Sequence, residues 1–187
     1  MWALGDYTEV ARYLEPYAEA LAGFAKVQPG SEVLDVAAGN GNFAIAAARR
    51  GARVVATDLT PAMIELGRLR TEAANLDVEW READAEALPF ADGRFDLVAS
   101  VFGAMFARRP ERVAAELLRV LKPSGALAMA NYGKAGFLGS FADLLTKFSN
   151  PPPPDLELPS PFDWGDEEIV RRRFAGMTSS LAFEAGV

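Results

Sequence analysis

The apolar positions of this 187-residue chain change period several times. Across residues 8–25, Val10, Tyr13, Leu14, Tyr17, Leu21 and Phe24 recur at three- and four-residue spacings, which predicts an amphipathic helix. Pro16 lacks an N–H to donate, so a kink or two short helices are expected there. From residue 32 onward, short apolar runs alternate with helical stretches. Strands are predicted over 32–37, 53–57, 77–82, 95–100 and 126–130, with helices over 42–50, 61–74 and 110–121. Thr60 can cap the second of these helices with Pro61 at its first position, and Lys122-Pro123-Ser124-Gly125 stops the third.

Strands alternating with helices predict an α/β fold: a doubly wound, mostly parallel, Rossmann-like sheet with helices on both faces and right-handed crossovers. The strands read as continuous apolar runs, as strands covered on both faces do. No internal repeat interrupts this pattern. Beyond the fifth strand, Phe137, Phe141, Leu144, Leu145 and Phe148 form one stripe of a further helix, which reads as core. Six of the twelve prolines then fall between Pro151 and Pro161, four of them consecutive, predicting an extended polyproline segment. A helix over 166–175 and a strand over 178–185 complete the chain.

In sheets of this kind ligands sit at the carboxyl ends of the strands. Asp35, Asp58, Asp84 and Ser100 all lie at or just past such ends. The first strand runs into Asp35-Val36-Ala37-Ala38-Gly39-Asn40-Gly41-Asn42, and the second ends at Asp58. Glycines admit a ligand close to the backbone and an acid can accept hydrogen bonds from ribose hydroxyls, a ground plan for binding an adenosine-containing ligand. Gly39-Asn40-Gly41-Asn42-Phe43-Ala44 also fits the G-x-G-x-x-A form of nicotinamide dinucleotide sites, so two ligand classes stand open. Helix capping is the purely structural alternative for Asp35 and Asp58. Asp96, at the start of the fourth strand, reads as serving its turn.

Composition narrows the chemistry. Half of the residues are apolar and the net charge is −7, which weighs against a nucleic-acid substrate. Arg171-Arg172-Arg173 follows Asp166-Glu167-Glu168, so each sign complements one end of the predicted helix. There is no cysteine, hence no disulfide and no thiolate metal site, and no histidine, the commonest general base. Neither a signal-peptide pattern nor a run long enough to span a membrane is seen, so a cytoplasmic location is expected.

Five segments together resemble the class I S-adenosylmethionine-dependent methyltransferases, and most closely the branch that includes small-molecule and quinone-biosynthesis enzymes. They are Val33-Leu34-Asp35-Val36-Ala37-Ala38-Gly39-Asn40-Gly41, Asp58-Leu59-Thr60-Pro61-Ala62-Met63, Ala83-Asp84-Ala85-Glu86-Ala87-Leu88-Pro89-Phe90, Phe95-Asp96-Leu97-Val98 and Leu118-Arg119-Val120-Leu121-Lys122-Pro123-Ser124-Gly125. The resemblance implies S-adenosylmethionine as cofactor, with S-adenosylhomocysteine as product and no metal. It implies that Asp35 and the turn Ala37, Gly39 and Gly41 face the methionine portion, and that Asp58 holds the ribose. Leu59 and Met63 would pack on adenine, Asp84 and Ala85 would hydrogen-bond it, and Ser100 and Val101 would line the methyl-donor end. Phe102, Met105, Phe106, Tyr132 and Trp164 are the candidates for a small, partly apolar methyl acceptor, with core packing as their alternative reading. Trp2 and Tyr7 are open in the same way.

The resemblance further implies one domain over 1–187, with a helical cap at 1–30, a cofactor-binding core at 31–131 and an acceptor side at 132–187. Ala37 stands where the family commonly has a glycine. The family's sheet carries a sixth strand and an antiparallel seventh, and this chain is expected to stop within or after the sixth. Binding without turnover and nicotinamide-dependent hydride transfer are the other functions weighed. Asp35 four residues before Gly39, the Asp84-Ala85 pair, and the lack of a tyrosine–lysine hydride-transfer site speak for methyl transfer. No side chain is singled out as a catalytic base, and the oligomeric state is not legible.

Overall fold

A computed structural model describes residues 7–148 and 159–184 of the chain. Five strands form one all-parallel sheet: β1 (Glu32–Val36), β2 (Arg53–Asp58), β3 (Val78–Glu82), β4 (Phe95–Val101) and β5 (Leu121–Ala130), in the order β3-β2-β1-β4-β5. The helices are α1 (Tyr7–Phe24), α2 (Asn42–Arg49), α3 (Pro61–Ala73), α4 (Pro110–Arg119), α5 (Phe137–Thr146) and α6 (Glu167–Arg173), with 3-10 segments at Ala104–Phe106 and Pro161–Gly165. This is the Rossmann-like α/β architecture expected from the alternating pattern, with an open sheet. No helix among the described residues is long and apolar enough to cross a membrane.

The two-residue period of β1 divides the core. Val33 packs with Ala18 and Ala22 of α1, and with Phe43, Ala44 and Ala47 of α2, on one face of the sheet. Leu34 and Val36 face the opposite side and pack with Phe95, Val98, and Val113 and Leu117 of α4. The strand order reverses at β1, between β2 on one side and β4 on the other. The crevice for a ligand therefore opens at the carboxyl ends of β1 and β4.

Several expectations are corrected. The two short helices offered around Pro16 are one helix, α1, and Pro16 is exposed, so the carbonyl its ring leaves unbonded is free to meet water. Of the predicted stripe Leu21 is buried and Leu14 partly so, but most of the buried face is made by Ala11, Ala18 and Ala22, and Val10, Tyr13 and Phe24 stay at least half exposed. Small residues let α1 lie close against the alanine-rich α2. Helix α4 stops at Arg119 and β5 starts at Leu121, so Lys122-Pro123-Ser124-Gly125 belongs to the strand. The register slips there: Phe95 pairs Leu121 but Leu97 pairs Ala126, and Pro123 sits in this irregularity of an edge strand, where a missing N–H is tolerated. Asp96 accepts from Glu32 N (2.9 Å) and Lys122 Nζ (2.8 Å), so it ties β4 to the starts of β1 and β5 instead of serving its own turn.

The aromatic stripe of α5 is not core, since Phe141, Leu144 and Phe148 are exposed. Residues 178–184 form no strand, while 185 and most of the proline-rich stretch lie outside the described residues, as does Trp2. Asp166 caps α6 by accepting from Ile169 N at 3.0 Å.

Candidate active site at the ends of β1, β2 and β4

Past Val36 the chain turns through three residues of positive φ: Ala37 (54°), Gly39 (57°) and Gly41 (90°). Ala38 N donates to Thr57 O (2.8 Å), tying this turn to β2. Asp58, nine-tenths buried at the end of β2, accepts from Gly39 N through Oδ2 (2.8 Å) and from Thr60 N through Oδ1 (2.9 Å). One carboxylate thus fixes the glycine turn and the start of α3 together. Thr60 occupies the cap position of α3 but its side chain makes no capping bond; the Met63 N–H, which a capping hydroxyl would accept, donates to Thr60 O instead (2.9 Å). Ala37 is an L residue in the left-handed region, a placement that costs about 1–2 kcal/mol. Ala37→Gly is expected to raise the unfolding free energy by about 1 kcal/mol, the greater freedom of glycine in the unfolded chain offsetting part of the relief. Urea titration of both proteins checks this, and a loss of stability would mean that the turn is unstrained.

Asp35 is fully buried between β1 and α2. Its Oδ2 accepts from Ala44 N in the first turn of α2 (2.9 Å), whereas Oδ1, also buried, has no hydrogen-bond partner among the described residues. Burial pushes its pKa up to about 8, against the opposing Ala44 hydrogen bond and with the Asp58 charge adding to the rise. A buried carboxyl with one bare oxygen is suited to meeting a cationic or hydrogen-donating group.

Strand β4 delivers the other wall. Ser100 is buried, with its hydroxyl donating to Val36 O (2.7 Å) and accepting from Ala104 N (3.1 Å), so it binds the ends of β1 and β4 to one another. Val101 beside it is half-buried. A Cβ on Gly103 would overlap the carbonyl oxygen of Ala37, which places the chain after β4 directly on the glycine turn. Phe102 adopts φ 57°, an outlier for a bulky residue of the sort that concentrates at functional sites. Its ring stacks on Tyr132 (4.1 Å between centroids, 10° between planes) and meets Tyr17 of α1 edge-on at 5.6 Å.

The structure therefore brings Asp35, the turn at Ala37–Gly41, Asp58, Ser100, Phe102 and Tyr132 to one end of the sheet. The loop after β3 joins them, because Ala83 N donates to Asp58 O at 3.1 Å. Within it Asp84 is half-buried and accepts from Glu86 N (2.9 Å), with Ala85 buried beside it. Met63 is buried, and Leu59 is largely exposed. Met105 and Phe106 line a cavity of about 180 Å³ together with Ala107, Arg108, Pro159 and Pro161. Trp164 is buried in the same core as Met105.

With this geometry in place, residues 34–129, just over half of the chain, match the methyltransferase-domain family. The chain belongs to that family. An uncharacterized protein of Mycobacterium tuberculosis is 41% identical over 189 residues, which cover 100% of this chain and 68% of the relative. The demethylmenaquinone methyltransferase of Renibacterium salmoninarum is 40% identical over 120 residues, covering 64% of this chain and 48% of that enzyme. Among solved structures, a protein of Bacillus halodurans assigned as a methyltransferase superposes with a TM-score of 0.62 at 33% identity, over 70% of this chain and 58% of its own. The resemblance to S-adenosylmethionine-dependent methyltransferases is thus upheld, and use of that cofactor is implied by the family.

Three features of this methyltransferase domain escape sequence reasoning. Trp80 of β3 is buried beneath the glycine turn: a Cβ on Gly41 would come within 2.8 Å of its ring, and one on Gly67 of α3 would overlap it. Arg70 of α3 donates to Asn40 O (2.9 Å), Asn40 Oδ1 (2.8 Å) and Asn42 Oδ1 (2.8 Å), and pairs with Glu15 of α1. Arg119 donates to Leu88 O (2.9 Å) and Phe90 O (2.8 Å), while its partner Glu116 accepts from Leu88 N, so the loop bearing Asp84 is clamped from α4. The Arg119 guanidinium holds the Glu116 carboxyl below its ordinary pKa. Only the glycines opposite Trp80 could have hinted at any of this.

Proposed function

We propose that this chain transfers a methyl group from S-adenosylmethionine to a small, partly apolar acceptor in the cytoplasm. The observation that carries the reading is Asp35 Oδ1, a buried carboxyl oxygen with no partner among the described residues, set under the glycine turn at the sheet's switch point, where an approaching cation would favour its ionised form. It suits the positively charged methionine portion of the cofactor. Asp58 keeps acceptor capacity for ribose hydroxyls, since each of its oxygens takes one backbone N–H, from Gly39 and from Thr60. Met63 and Leu59 flank the place for adenine, with Asp84 and the backbone of Ala85 at its polar edge. Val101 and the Ser100 backbone border the methyl-donor end.

When bound, the cofactor supplies a methyl carbon already activated by its sulfonium and departs as S-adenosylhomocysteine. The protein's own work is then alignment and exclusion of water. Phe102, held in its left-handed conformation between Tyr132 and Tyr17, walls the approach, and Met105, Phe106 and Trp164 supply an apolar surface for the acceptor. The chain contains no histidine, so a proton that must leave the acceptor goes to a carboxylate, a tyrosine or water. The demethylmenaquinone methyltransferase relative makes aromatic ring acceptors the first to be tried.

Asp58→Ala should weaken S-adenosylhomocysteine binding by about 1–3 kcal/mol, because ribose hydroxyls and the Gly39 and Thr60 amides all lose their acceptor. Calorimetry provides the measurement. Unchanged affinity would remove Asp58 from the site, and NAD(H) binding without any response to S-adenosylhomocysteine would sink the whole reading. Cofactor binding without transfer to any ring acceptor would leave a binding protein instead of an enzyme.

A further inference from the structure

We propose that Trp164 and Arg173 form an anion site for a carboxylate carried by the methyl acceptor, a step that rests on the acceptor-side reading above. Trp164 is 3% exposed and the Arg173 side chain 4%, and the guanidinium lies over the indole at 4.3 Å from its centroid. Trp164 Nε1 and Arg173 Nη1 are both buried and neither has a hydrogen-bond partner among the described residues. Arg173 spends one other N–H on Glu111 (Nε to Oε2, 2.9 Å), a carboxylate that is itself largely exposed and therefore screened by water.

Folded proteins leave few buried donors unpaired, because each forfeits its hydration, and a charged donor forfeits most. Two such donors on side chains stacked one over the other, one of them cationic, call for an acceptor oxygen with negative charge. Their place in the fold fits this. In a 3-10 segment side chains three apart eclipse, so Trp164 shares a face with Pro161, and Pro161 lines the cavity of about 180 Å³ with Met105, Phe106, Ala107, Pro159 and Arg108. The cavity has apolar walls and a basic residue in Arg108; Trp164 does not line it but shares a core with Met105, one of its walls, and carries Arg173 on its ring. Its volume is close to that of a cavity able to take a benzene-sized ring. The ligand class is therefore a single-ring or similarly compact apolar acid. Gly165 closes the arrangement against the end of β5, because a Cβ there would overlap the carbonyl oxygen of Tyr132.

Benzoate and its neutral counterpart benzyl alcohol are the probes, each titrated into protein saturated with S-adenosylhomocysteine. Binding is followed by calorimetry and by the indole N–H resonances, with Trp164 assigned by its loss in Trp164→Phe. Benzoate should bind at least about tenfold more tightly than benzyl alcohol and move the Trp164 indole signal downfield. Arg173→Met keeps the length and apolar bulk of the side chain, and it should erase the preference while S-adenosylhomocysteine affinity stays within about twofold. Equal affinities of the two probes for the wild-type protein overturn the proposal, as does a preference that survives in Arg173→Met. An indole signal already at a hydrogen-bonded position and unmoved by benzoate assigns the donors to a resident water, which also overturns it. Should Arg173→Met not fold, the wild-type comparison and Trp164→Phe, expected to lose several-fold in benzoate affinity, still decide. Failure to bind S-adenosylhomocysteine would count against the proposed function alone, since the benzoate preference is readable without it.

Discussion

Replacing Trp80 by alanine is expected to lower the unfolding free energy by about 3–5 kcal/mol, the cost of emptying a well-packed aromatic site. The indole is 6% exposed and fills the space left by two residues without side chains, Gly41 in the turn and Gly67 in α3. Neither glycine can close over the void. Helix α3 is anchored there as well, because Trp80 Nε1 donates to Thr71 Oγ1 at 3.4 Å. Trp80→Phe retains most of the apolar volume and should lose less stability, yet it should still loosen the turn that follows β1. The checks are urea unfolding of both variants and calorimetric S-adenosylhomocysteine affinity of Trp80→Phe. A loss under about 1 kcal/mol in Trp80→Ala would show that the ring does not support the turn.

Asp35→Asn is expected to remove a pH dependence. The folded-state pKa of Asp35 is raised from 3.8 to about 8, first by burial, so between these values the folded protein binds a proton that the unfolded chain releases. The associated stability is fully present below about pH 4 and disappears as pH climbs through 8, at a slope of at most about 1.4 kcal/mol for each pH unit. Asparagine has the shape of the protonated acid and cannot ionise. The variant should therefore match the wild type near pH 4 and exceed it at pH 9 by several kcal/mol. Glu86, Asp96 and Glu116 work in the opposite sense, with depressed pKa values whose stabilisation is lost on acidification. Subtracting the two stability profiles cancels these shared contributions and isolates Asp35. A difference that stays flat from pH 4 to 9 would mean that Asp35 ionises normally in the folded protein.

The parallel sheet was readable because β1, β2 and β4 are covered on both faces and appear as nearly unbroken apolar runs, while the helices between them keep a longer period; edge strand β3 is mostly exposed and buries only Trp80. The acids at the strand ends were readable for a related reason: Asp35 and Asp58 interrupt or end runs that burial would otherwise keep apolar. Failures came where a side chain's surroundings depend on distant packing. Phe137 to Phe148 have the stripe of a core helix, yet the described apolar side chains of α5 are mostly exposed. In α1 the alanines were overlooked in favour of Tyr13 and Phe24, although small residues are what a close helix pair buries. Lys122-Pro123-Ser124-Gly125 has the composition of a turn, and cross-strand pairing with β4 makes it part of a strand.

The sequence alone determined that the chain alternates between two periods, hence a doubly wound sheet, and that acids and glycines gather at the ends of its strands. Both are local properties, legible because side-chain direction follows backbone period. Only the tertiary structure decided which atoms those residues engage. Ser100 spends its hydroxyl on a carbonyl 64 positions away, Asp58 reaches back 19 positions to Gly39, and Trp80 stands beneath a turn belonging to a different strand. Contacts of that reach are set by how strands are ordered in the sheet, and no local spacing encodes them. They also leave one oxygen of Asp35 and two donors at Trp164 and Arg173 without a partner among the described residues, and such an atom can be recognised only once its surroundings have been placed.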